Sequence, residues 1–332
     1  MKKISVIVPM YNVAQYLQKC VDSVLQQNVG HEEIEIIMVN DESPDNSLEI
    51  ANQLAEEHSC IKVVSQKNKG LGGARNTGVS NATGEYIVFL DADDWLVQNS
   101  LDKLLKLASD NNLDILEFGA NLVNEDGEIT STVATNSEGK LYTGVTYYNT
   151  IKYSGSACNK LYSRLFWERH NLAFLEQIYG EDFEFNTRSF FYAQRVMATE
   201  IIGAEFLQTF NSITRNSDRS KKDKYARDYI TILTSIRDFF ETHRDDENKE
   251  IIKFFTERLT MVNVNAFYLL FKNNYSFREI TNYRRTLRKN GLLFITHEIA
   301  NKKKNLFRKI MINNSYLFRF SQPIKKLLKI TG

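Results

Sequence analysis

The stretch Tyr86-Ile-Val-Phe-Leu-Asp-Ala-Asp-Asp-Trp95 carries the strongest signal for the fold of this chain. Its apolar residues 86–90 predict a buried β-strand, and two carboxylates, Asp91 and Asp93, follow it one residue apart. Mg²⁺ or Mn²⁺ prefers oxygen ligands of this kind, and such a site keeps open positions for phosphate oxygens. The pattern therefore indicates a metal-assisted site for a nucleotide diphosphate. The alternative is a turn and capping cluster, in which Asp94 caps a helix that begins near Val97.

Short apolar runs alternate with segments of helical periodicity over the first part of the chain. Runs rich in β-branched residues predict buried strands, and apolar residues at helical spacing predict helices between them. This alternation, over about 110 residues, predicts an α/β fold with a doubly wound, mainly parallel sheet. The predicted strands are 4–8, 34–39, 61–64 and 86–90, and the predicted helices are 17–25, 46–58 and 72–81.

Three polar motifs follow predicted strands at their carboxyl ends, where sheets of this kind bind ligands. They are Pro9-Met-Tyr-Asn12, Asn40-Asp-Glu-Ser43 and Asp91-Ala-Asp-Asp94. Tyr11 could pack on a base or only cover the sheet edge, and Asn12 could cap the first helix. Asp41 could accept a hydrogen bond from a base N–H or a ribose hydroxyl, or serve only as a turn former.

The segment Gly70-Leu-Gly-Gly-Ala-Arg-Asn-Thr-Gly78 predicts a glycine-rich loop that runs into a helix. Small residues such as Gly72 let a backbone approach a ligand closely, and Arg75 offers a fork of donors to phosphate or to a base carbonyl. Its place after the third strand distinguishes it from a Walker A or Rossmann loop. The alternative is a flexible turn with no ligand.

Glu181 and Asp182 open a predicted helix over residues 181–192. The helix dipole stabilises ionised acids in a first turn, so one of these two residues is a candidate general base. The alternative is the ordinary preference for acids at any helix start.

Beyond residue 113 the pattern changes. Asn124-Glu-Asp-Gly127 predicts a hairpin turn, and the periodicity after Lys224 predicts helices over 225–243, 247–272 and 276–290. The polar stretch 214–223 is the predicted boundary. We therefore expect one domain over 1–220, with halves 1–113 and 114–220, followed by a helical region over 221–332.

The composition is that of an ordinary globular protein: 332 residues, 42% hydrophobic, 25% charged and a net charge of +1. Three cysteines without metal-like spacing indicate reduced thiols in a reducing compartment. The apolar run after Met1 is too short for a signal peptide, and no stretch approaches the length of a membrane span. These features predict a cytoplasmic location.

Residues 285–332, here called the basic tail, contain twelve Lys and Arg and one acidic residue. The tail therefore carries about +11 and the rest of the chain about −10, which favours attachment to an anionic membrane surface at the inner face. Amphipathic helices with aliphatic anchors between the basic residues support this prediction over nucleic-acid binding. The alternative is a solvated helix that docks on the protein. The anchors are Leu306, Phe307, Ile310, Ile324, Leu327 and Leu328.

Taken in order, these motifs resemble those of the family 2 glycosyltransferases, which are inverting enzymes with the GT-A fold. The matching stretches are 6–12, 39–47, 68–78, 84–96 and 180–182. The resemblance implies transfer of a sugar from a nucleotide-diphospho-sugar, by family habit a UDP-sugar, to a glycan hydroxyl. It implies a nucleotide-sugar-binding half over 1–113, an acceptor-side half over 114–220, and surface polysaccharide or glycoconjugate synthesis. The charge split adds the hypothesis of a lipid-linked acceptor.

The resemblance also implies which residues touch the donor. Asp41 and Arg75 would lie on the nucleoside side, with Gly72 beside the donor, while Pro9 and Tyr11 would line the base pocket. Arg215 would lie near the diphosphate.

The remaining implied roles concern the metal and the base. Asp93 would ligate Mn²⁺ or Mg²⁺, with Asp91 on the ribose, on a metal-bound water or on the metal itself. Asp182 would be the base, with Glu181 as the alternative. One departure from the family is Glu42, which replaces a residue with free φ, so the turn at this point is expected to differ.

Two other functions stay open at this point. A sugar-1-phosphate nucleotidyltransferase also uses an α/β sheet and a metal, but its glycine-rich loop would directly follow the first strand. A non-catalytic nucleotide-sugar-binding or scaffolding subunit would have lost its acidic residues, whereas Asp91, Asp93, Glu181 and Asp182 are all present.

Overall fold

The computed structural model describes residues 2–209 and 218–314, together with residue 319. The chain forms two compact units, Met1–Arg215 and Asn216–Gly332. The first is an α/β unit, and the described part of the second is helical.

The α/β unit opens with the strand–helix alternation that the sequence predicts. Its first half contains β1 (Ile4–Met10), α1 (Ala14–Leu25), β2 (Ile34–Asn40), α2 (Ser47–Glu57), β3 (Ile61–Ser65), α3 (Gly70–Ser80), β4 (Tyr86–Phe89), β5 (Trp95–Leu96) and α4 (Leu101–Asp110). Its second half contains β6 (Ile115–Val123), β7 (Ile129–Val133), α5 (Gly144–Thr150), β8 (Lys160–Ser163), α6 (Arg164–Arg169), α7 (Glu181–Tyr192) and β9 (Val196–Leu207).

One continuous sheet joins these strands in the order β3-β2-β1-β4-β8-β6-β9-β5, and β7 pairs with β6. The strands from β3 to β4 are all parallel, which confirms the predicted parallel half. Strand β8 then runs antiparallel to both β4 and β6, whereas β9 is parallel to β6. The second half is therefore mixed, a feature that the local pattern of the sequence did not predict.

The core lies against the two faces of this sheet. Every residue of β1 is buried, as expected for a strand with helices on both sides. Burial of one large aliphatic side chain contributes roughly 1.5–3 kcal/mol, so the apolar strands account for much of the stability of the unit. Helix α3 approaches β1 closely at Gly78, where an added Cβ would overlap the Ile7 side chain. This approach brings the side chains of α3 next to the strand ends.

The helical unit contains α8 (Arg219–His243), α9 (Lys249–Lys272), α10 (Phe277–Lys289) and α11 (Lys302–Phe307), followed by a π-helical turn at Arg308–Ile312. The three long helices lie within a few residues of their predicted positions, except that α8 begins earlier. Side chains at their first turns explain where they begin. Asp218, Asn248 and Ser276 each accept a hydrogen bond from a backbone amide of the first turn.

Two general predictions can be compared with the described residues. Cys20, Cys60 and Cys158 are buried free thiols. Over residues 2–209 and 218–314, no helix is long and apolar enough to span a membrane. The second predicted amphipathic segment, around Ile324 to Leu328, lies outside the described residues.

Candidate active site

The carboxyl ends of β1, β2 and β4 lie side by side because these strands are parallel neighbours. The Asp41 amide donates to the Met10 carbonyl oxygen at 2.9 Å, and the Leu90 amide donates to the Ile7 carbonyl oxygen at 2.9 Å. The three polar motifs therefore leave the sheet at one edge, as the sequence predicts.

Arg75 of α3 lies at the centre of this edge, with a side chain that is 1% exposed. Its Nη2 lies 2.9 Å from Asp91 Oδ1, and its Nη1 lies 2.8 Å from Glu181 Oε1 and 2.9 Å from Asp182 Oδ1. Nη2 is also 3.4 Å from Cys158 Sγ. One buried guanidinium thus joins the acid after β4 to the two acids that open α7. We call Arg75, Asp91, Glu181 and Asp182 the Arg75 cluster.

This geometry gives Arg75 partners that the sequence does not predict, while contact between Arg75 and the donor stays a prediction. The sequence predicts that its fork of donors faces a phosphate or a base carbonyl, whereas the structure fills both terminal nitrogens with carboxylates. Sequence alone did not reveal this because the partners are 16, 106 and 107 residues away.

Negative charge exceeds positive charge in the Arg75 cluster, and the pKa values respond. Burial and the neighbouring Asp182 raise the pKa of Glu181 to about 7. Burial and the nearby Asp91 raise the pKa of Asp93 to about 6. Burial also raises the pKa of Asp182, although Arg75 and the Ala157 amide act against that rise. An added cation would relieve this crowding of carboxylates.

Asp91 and Asp93 have the chemistry of a shared divalent-cation site. Mg²⁺ is usually bound through one or two carboxylates, with substrate phosphates and water completing the shell. Within residues 2–209 and 218–314, no group of three or more His, Cys, Asp or Glu side chains could form a metal site by itself. The Asp91 and Asp93 carboxylates therefore fit a cation that a bound diphosphate helps to hold.

Asp182 is held at both carboxylate oxygens. Oδ1 faces Arg75, while Oδ2 accepts a hydrogen bond from the Ala157 amide at 3.0 Å. Gly180 precedes helix α7 in the left-handed conformation (φ 78°), which lets the chain turn sharply into the helix. The Asp182 side chain is 22% exposed and the Glu181 side chain 7%, so Asp182 is the more accessible acid.

Asp41 is buried, and its carboxylate accepts hydrogen bonds from within the protein. Oδ1 accepts hydrogen bonds from Gln66 Nε2 at 2.7 Å and from the Lys69 amide at 2.8 Å. The next residue, Glu42, adopts a φ of 63°. The turn therefore has the left-handed backbone that glycine favours, although the sequence predicts a different turn at a residue that is not glycine.

Pro9 and Tyr11 lie at the end of β1 in contrasting environments. Pro9 is buried within the strand opposite Val39, whereas Tyr11 is 54% exposed. The alternative that Asn12 caps the first helix is wrong, since Asn12 has a φ of 57° and Val13 is the N-cap residue. The Ala14 amide donates instead to Asp45 Oδ2 at 3.0 Å.

Packing accounts for the absence of a side chain at Gly72. A Cβ at this position would overlap the Leu175 carbonyl oxygen and lie 3.0 Å from Phe174 Cβ. Residues 70–80 form helix α3, so the predicted glycine-rich loop is helical throughout. Contact between Gly72 and a donor stays a prediction.

Asp94 is buried and joins the acidic run to β9. Its Oδ1 accepts a hydrogen bond from the Leu207 amide at 2.8 Å. The alternative that Asp94 caps a helix near Val97 is wrong, because α4 begins at Leu101 after the N-cap residue Ser100. Arg215 lies outside the described residues, so its place near a diphosphate stays a prediction.

The sequence did not single out the segment that holds Asp182. Ala157 and Cys158 contact the Arg75 cluster, and a buried pair, Glu117 and Lys160, lies beneath them. The available signal was one charged residue in each of two apolar runs, Ile115-Leu-Glu-Phe118 and Lys160-Leu-Tyr162.

The model of the family described as Glycosyl transferase family 2 matches residues 5–169, which include the strand ends and the acidic run. The chain belongs to the family 2 glycosyltransferases. It is 37% identical over 232 residues to the uncharacterized glycosyltransferase EpsJ of Bacillus subtilis (strain 168). That alignment covers 68% of this chain and 66% of EpsJ, slightly less than two thirds of the relative.

Solved structures of glycosyltransferases share the fold. S. aureus TarS 1–349 in complex with UDP-GlcNAc superposes with a TM-score of 0.60 at 19% identity, covering 87% of this chain and 92% of that chain. The mannosyltransferase PcManGT from Pyrobaculum calidifontis, in complex with GDP-Man and Mn²⁺, superposes with a TM-score of 0.55 at 16% identity. That match covers 99% of this chain and 88% of PcManGT. The fold of this family 2 member is therefore GT-A.

Proposed function

We propose that this chain is an inverting, metal-dependent glycosyltransferase that moves a sugar from a nucleotide-diphospho-sugar to a hydroxyl of a glycan acceptor. The observation that carries the proposal is the Arg75 cluster. It brings the donor-side acid Asp91 and the candidate bases Glu181 and Asp182 onto one guanidinium at the ligand-binding edge of the sheet. The ligands of TarS and PcManGT support a nucleotide sugar as donor, and we propose UDP as its nucleotide.

Asp182 is the proposed general base. It would take the proton of the acceptor hydroxyl while that oxygen attacks the anomeric carbon and the bond to the diphosphate breaks on the opposite face. Its greater exposure favours Asp182 over Glu181, and its two hydrogen-bond donors fix its orientation. Glu181, with a pKa raised to about 7, would share the positive charge of Arg75 without reaching the acceptor.

Asp93 and Asp91 are the proposed residues for Mn²⁺ or Mg²⁺. A bound cation would neutralise charge on the departing diphosphate. The Asp91 oxygen that faces Arg75 is already committed, so Asp93 is the stronger ligand candidate and Asp91 is free to orient a ribose or a water. Pro9 and Tyr11 are proposed to line the base pocket and Asp41 to lie on the nucleoside side, with Gly72 beside the donor and Arg215 near its diphosphate.

We also propose that the acceptor is lipid-linked, in surface polysaccharide or glycoconjugate synthesis, and that the helical unit attaches to the inner membrane face. Leu306 and Ile310 are 57% and 43% exposed, beside the exposed Lys302, Lys303 and Lys309. Apolar anchors among lysines suit an anionic lipid surface. Arg308, by contrast, is buried and donates to the carbonyl oxygens of residues 295 and 296, so part of this segment packs inside its own unit.

A ligand screen tests the donor and the metal together. UDP-, GDP- and dTDP-sugars are added with and without Mn²⁺, and the unfolding temperature and the release of nucleotide are measured. Ligand at one hundred times its Kd adds about 2.7 kcal/mol of stability, or roughly 5–10 °C for a unit of this size. We expect this shift for one nucleotide class only with Mn²⁺, and its loss in Asp93→Asn but not in the control Asp110→Asn. Tight binding with no turnover would favour the scaffolding subunit instead.

A further inference from the structure

Beneath the Arg75 cluster lies a buried ion pair that the proposed reaction does not use. Glu117 of β6 and Lys160 of β8 are directly opposite in the antiparallel register, and their side chains are 1% and 0% exposed. Lys160 Nζ lies 3.9 Å from Glu117 Oε1. Withdrawing two charges from water is costly, so such a pair needs further hydrogen bonds to be tolerated.

Three of those further bonds reach one short segment, residues 154–156, and the others come from Tyr147 and Asn159. Lys160 Nζ donates to the Ser154 and Ser156 carbonyl oxygens at 3.0 and 2.6 Å. Glu117 Oε1 accepts from the Ser154 amide at 2.6 Å, and Glu117 Oε2 accepts from the Tyr147 hydroxyl at 2.7 Å. The pair therefore fixes the backbone of residues 154–156 through hydrogen bonds to its amide and carbonyl groups.

The next two residues of the same segment, Ala157 and Cys158, contact the proposed base and Arg75. The Ala157 amide donates to Asp182 Oδ2 at 3.0 Å, and Cys158 Sγ lies 3.4 Å from Arg75 Nη2. The amide that orients Asp182 therefore sits one residue beyond the last carbonyl bound by Lys160. A shift of this backbone would move the Ala157 N–H away from the carboxylate.

We propose that Lys160 and Glu117 are positioning residues, which clamp the 154–158 segment so that the Ala157 amide holds Asp182 in its catalytic orientation. This inference rests on the proposed function, because it takes Asp182 as the base. Their effect on Asp182 travels through the backbone of this segment. The positive charge of Lys160 also acts against the rise that burial causes in the pKa of Asp182.

The first test is Lys160→Met, with Lys106→Met as the control at an exposed lysine. For the first variant we expect kcat to fall about 10–100-fold, the cost of a small misplacement of a catalytic group. The KM for the donor should stay within about twofold, because the donor-side residues are untouched. The acid limb of the kcat profile should move to higher pH, since Asp182 loses a nearby positive charge and a hydrogen-bond donor. An unchanged limb, or equal losses in kcat and donor binding, would overturn the inference.

Removal of one partner leaves the other charge buried and alone, so Lys160→Met also risks unfolding. The double variant Lys160→Met/Glu117→Gln removes both charges and keeps an acceptor for the Ser154 amide. We expect it to regain most of the wild-type unfolding temperature while kcat stays at least about tenfold low. Recovery of kcat to within threefold of wild type would contradict a positioning role.

A readout independent of transfer separates this inference from the proposed function. Hydrogen exchange at the Ala157 amide should be slow in the wild type and in Asp182→Asn, which keeps an acceptor oxygen, but at least about tenfold faster in both Lys160 variants. Unchanged exchange would refute the clamp whatever the chemistry proves to be. Full transfer by Asp182→Asn, with exchange altered as expected, would instead refute the proposed base and leave the clamp as a structural device.

Discussion

Replacement of Arg75 by methionine tests whether this residue organises the protein or grips the donor. The variant keeps a side chain of similar length and leaves Asp91, Glu181 and Asp182 without their shared cation. Loss of one partner of a buried ion pair costs about 3–5 kcal/mol. For a domain of this size, 1 kcal/mol corresponds to about 2–4 °C, so we expect the unfolding temperature to fall by roughly 6–20 °C at pH 8.

The dependence on pH supplies the sharper readout. The pKa values of Glu181 and Asp182 are raised, so these two acids take up protons as the pH falls and then need a cation less. The gap between Arg75→Met and the wild type should therefore be smaller at pH 5.5 than at pH 8. Urea unfolding at pH 8 and pH 5.5 measures the gap, with the exposed Arg169→Met as control. A variant that unfolds like the wild type at pH 8 but binds the donor poorly would refute the organising role. That result would favour the sequence-based prediction that Arg75 contacts the donor.

Glu181, Gly72 and the exposed face with Leu306 and Ile310 can each be tested by substitution. Because the pKa of Glu181 is raised to about 7 from 4.5, this residue contributes stability at low pH that is lost as pH rises through about 7. Glu181→Gln should reduce the pH dependence of the free energy of unfolding by up to about 3 kcal/mol, and an unchanged dependence would contradict this prediction. Gly72→Ala should lower the free energy of unfolding by about 1–3 kcal/mol through overlap with Leu175, whereas the control Gly155→Ala, whose added Cβ meets no atom closer than 3.8 Å, should be tolerated. Equal losses of stability in the two variants would argue against close packing at Gly72. Leu306→Ser/Ile310→Ser should weaken binding to anionic liposomes at least about tenfold with no loss of stability, and undiminished binding would exclude this face as the membrane contact.

Local patterns in the sequence were enough to predict the parallel half of the sheet. Runs such as Ile4-Ser-Val-Ile-Val8 strongly favour the β-strand conformation, and helices between them let neighbouring strands pair in parallel. The mixed half was not predictable in the same way. Strand β8 is only four residues long and its partners β4 and β6 lie far away in the chain, so its pairing depends on tertiary contacts.

Residue types at strand ends predicted the members of the site better than their contacts. Asp91, Glu181 and Asp182 do meet at one edge, because parallel strands and the start of α7 deliver them there. The carboxylate partners of Arg75 were not predicted, since sequence does not show whether a guanidinium faces solvent or carboxylates. Glu42 illustrates the same limit in the backbone, since its left-handed conformation is maintained by its surroundings rather than by its own preference.

Asp182 is the proposed base of a sugar transfer at the Arg75 cluster. The most direct test is single-turnover transfer from the preferred nucleotide sugar with Mn²⁺, comparing the wild type with Asp182→Asn and Glu181→Gln. Loss of a general base costs about 10²–10⁴-fold, so Asp182→Asn should slow transfer by that factor while donor stabilisation is retained. Glu181→Gln should retain transfer within about tenfold, because Glu181 is not required to accept the proton. Transfer by Asp182→Asn at the wild-type rate would contradict the claim.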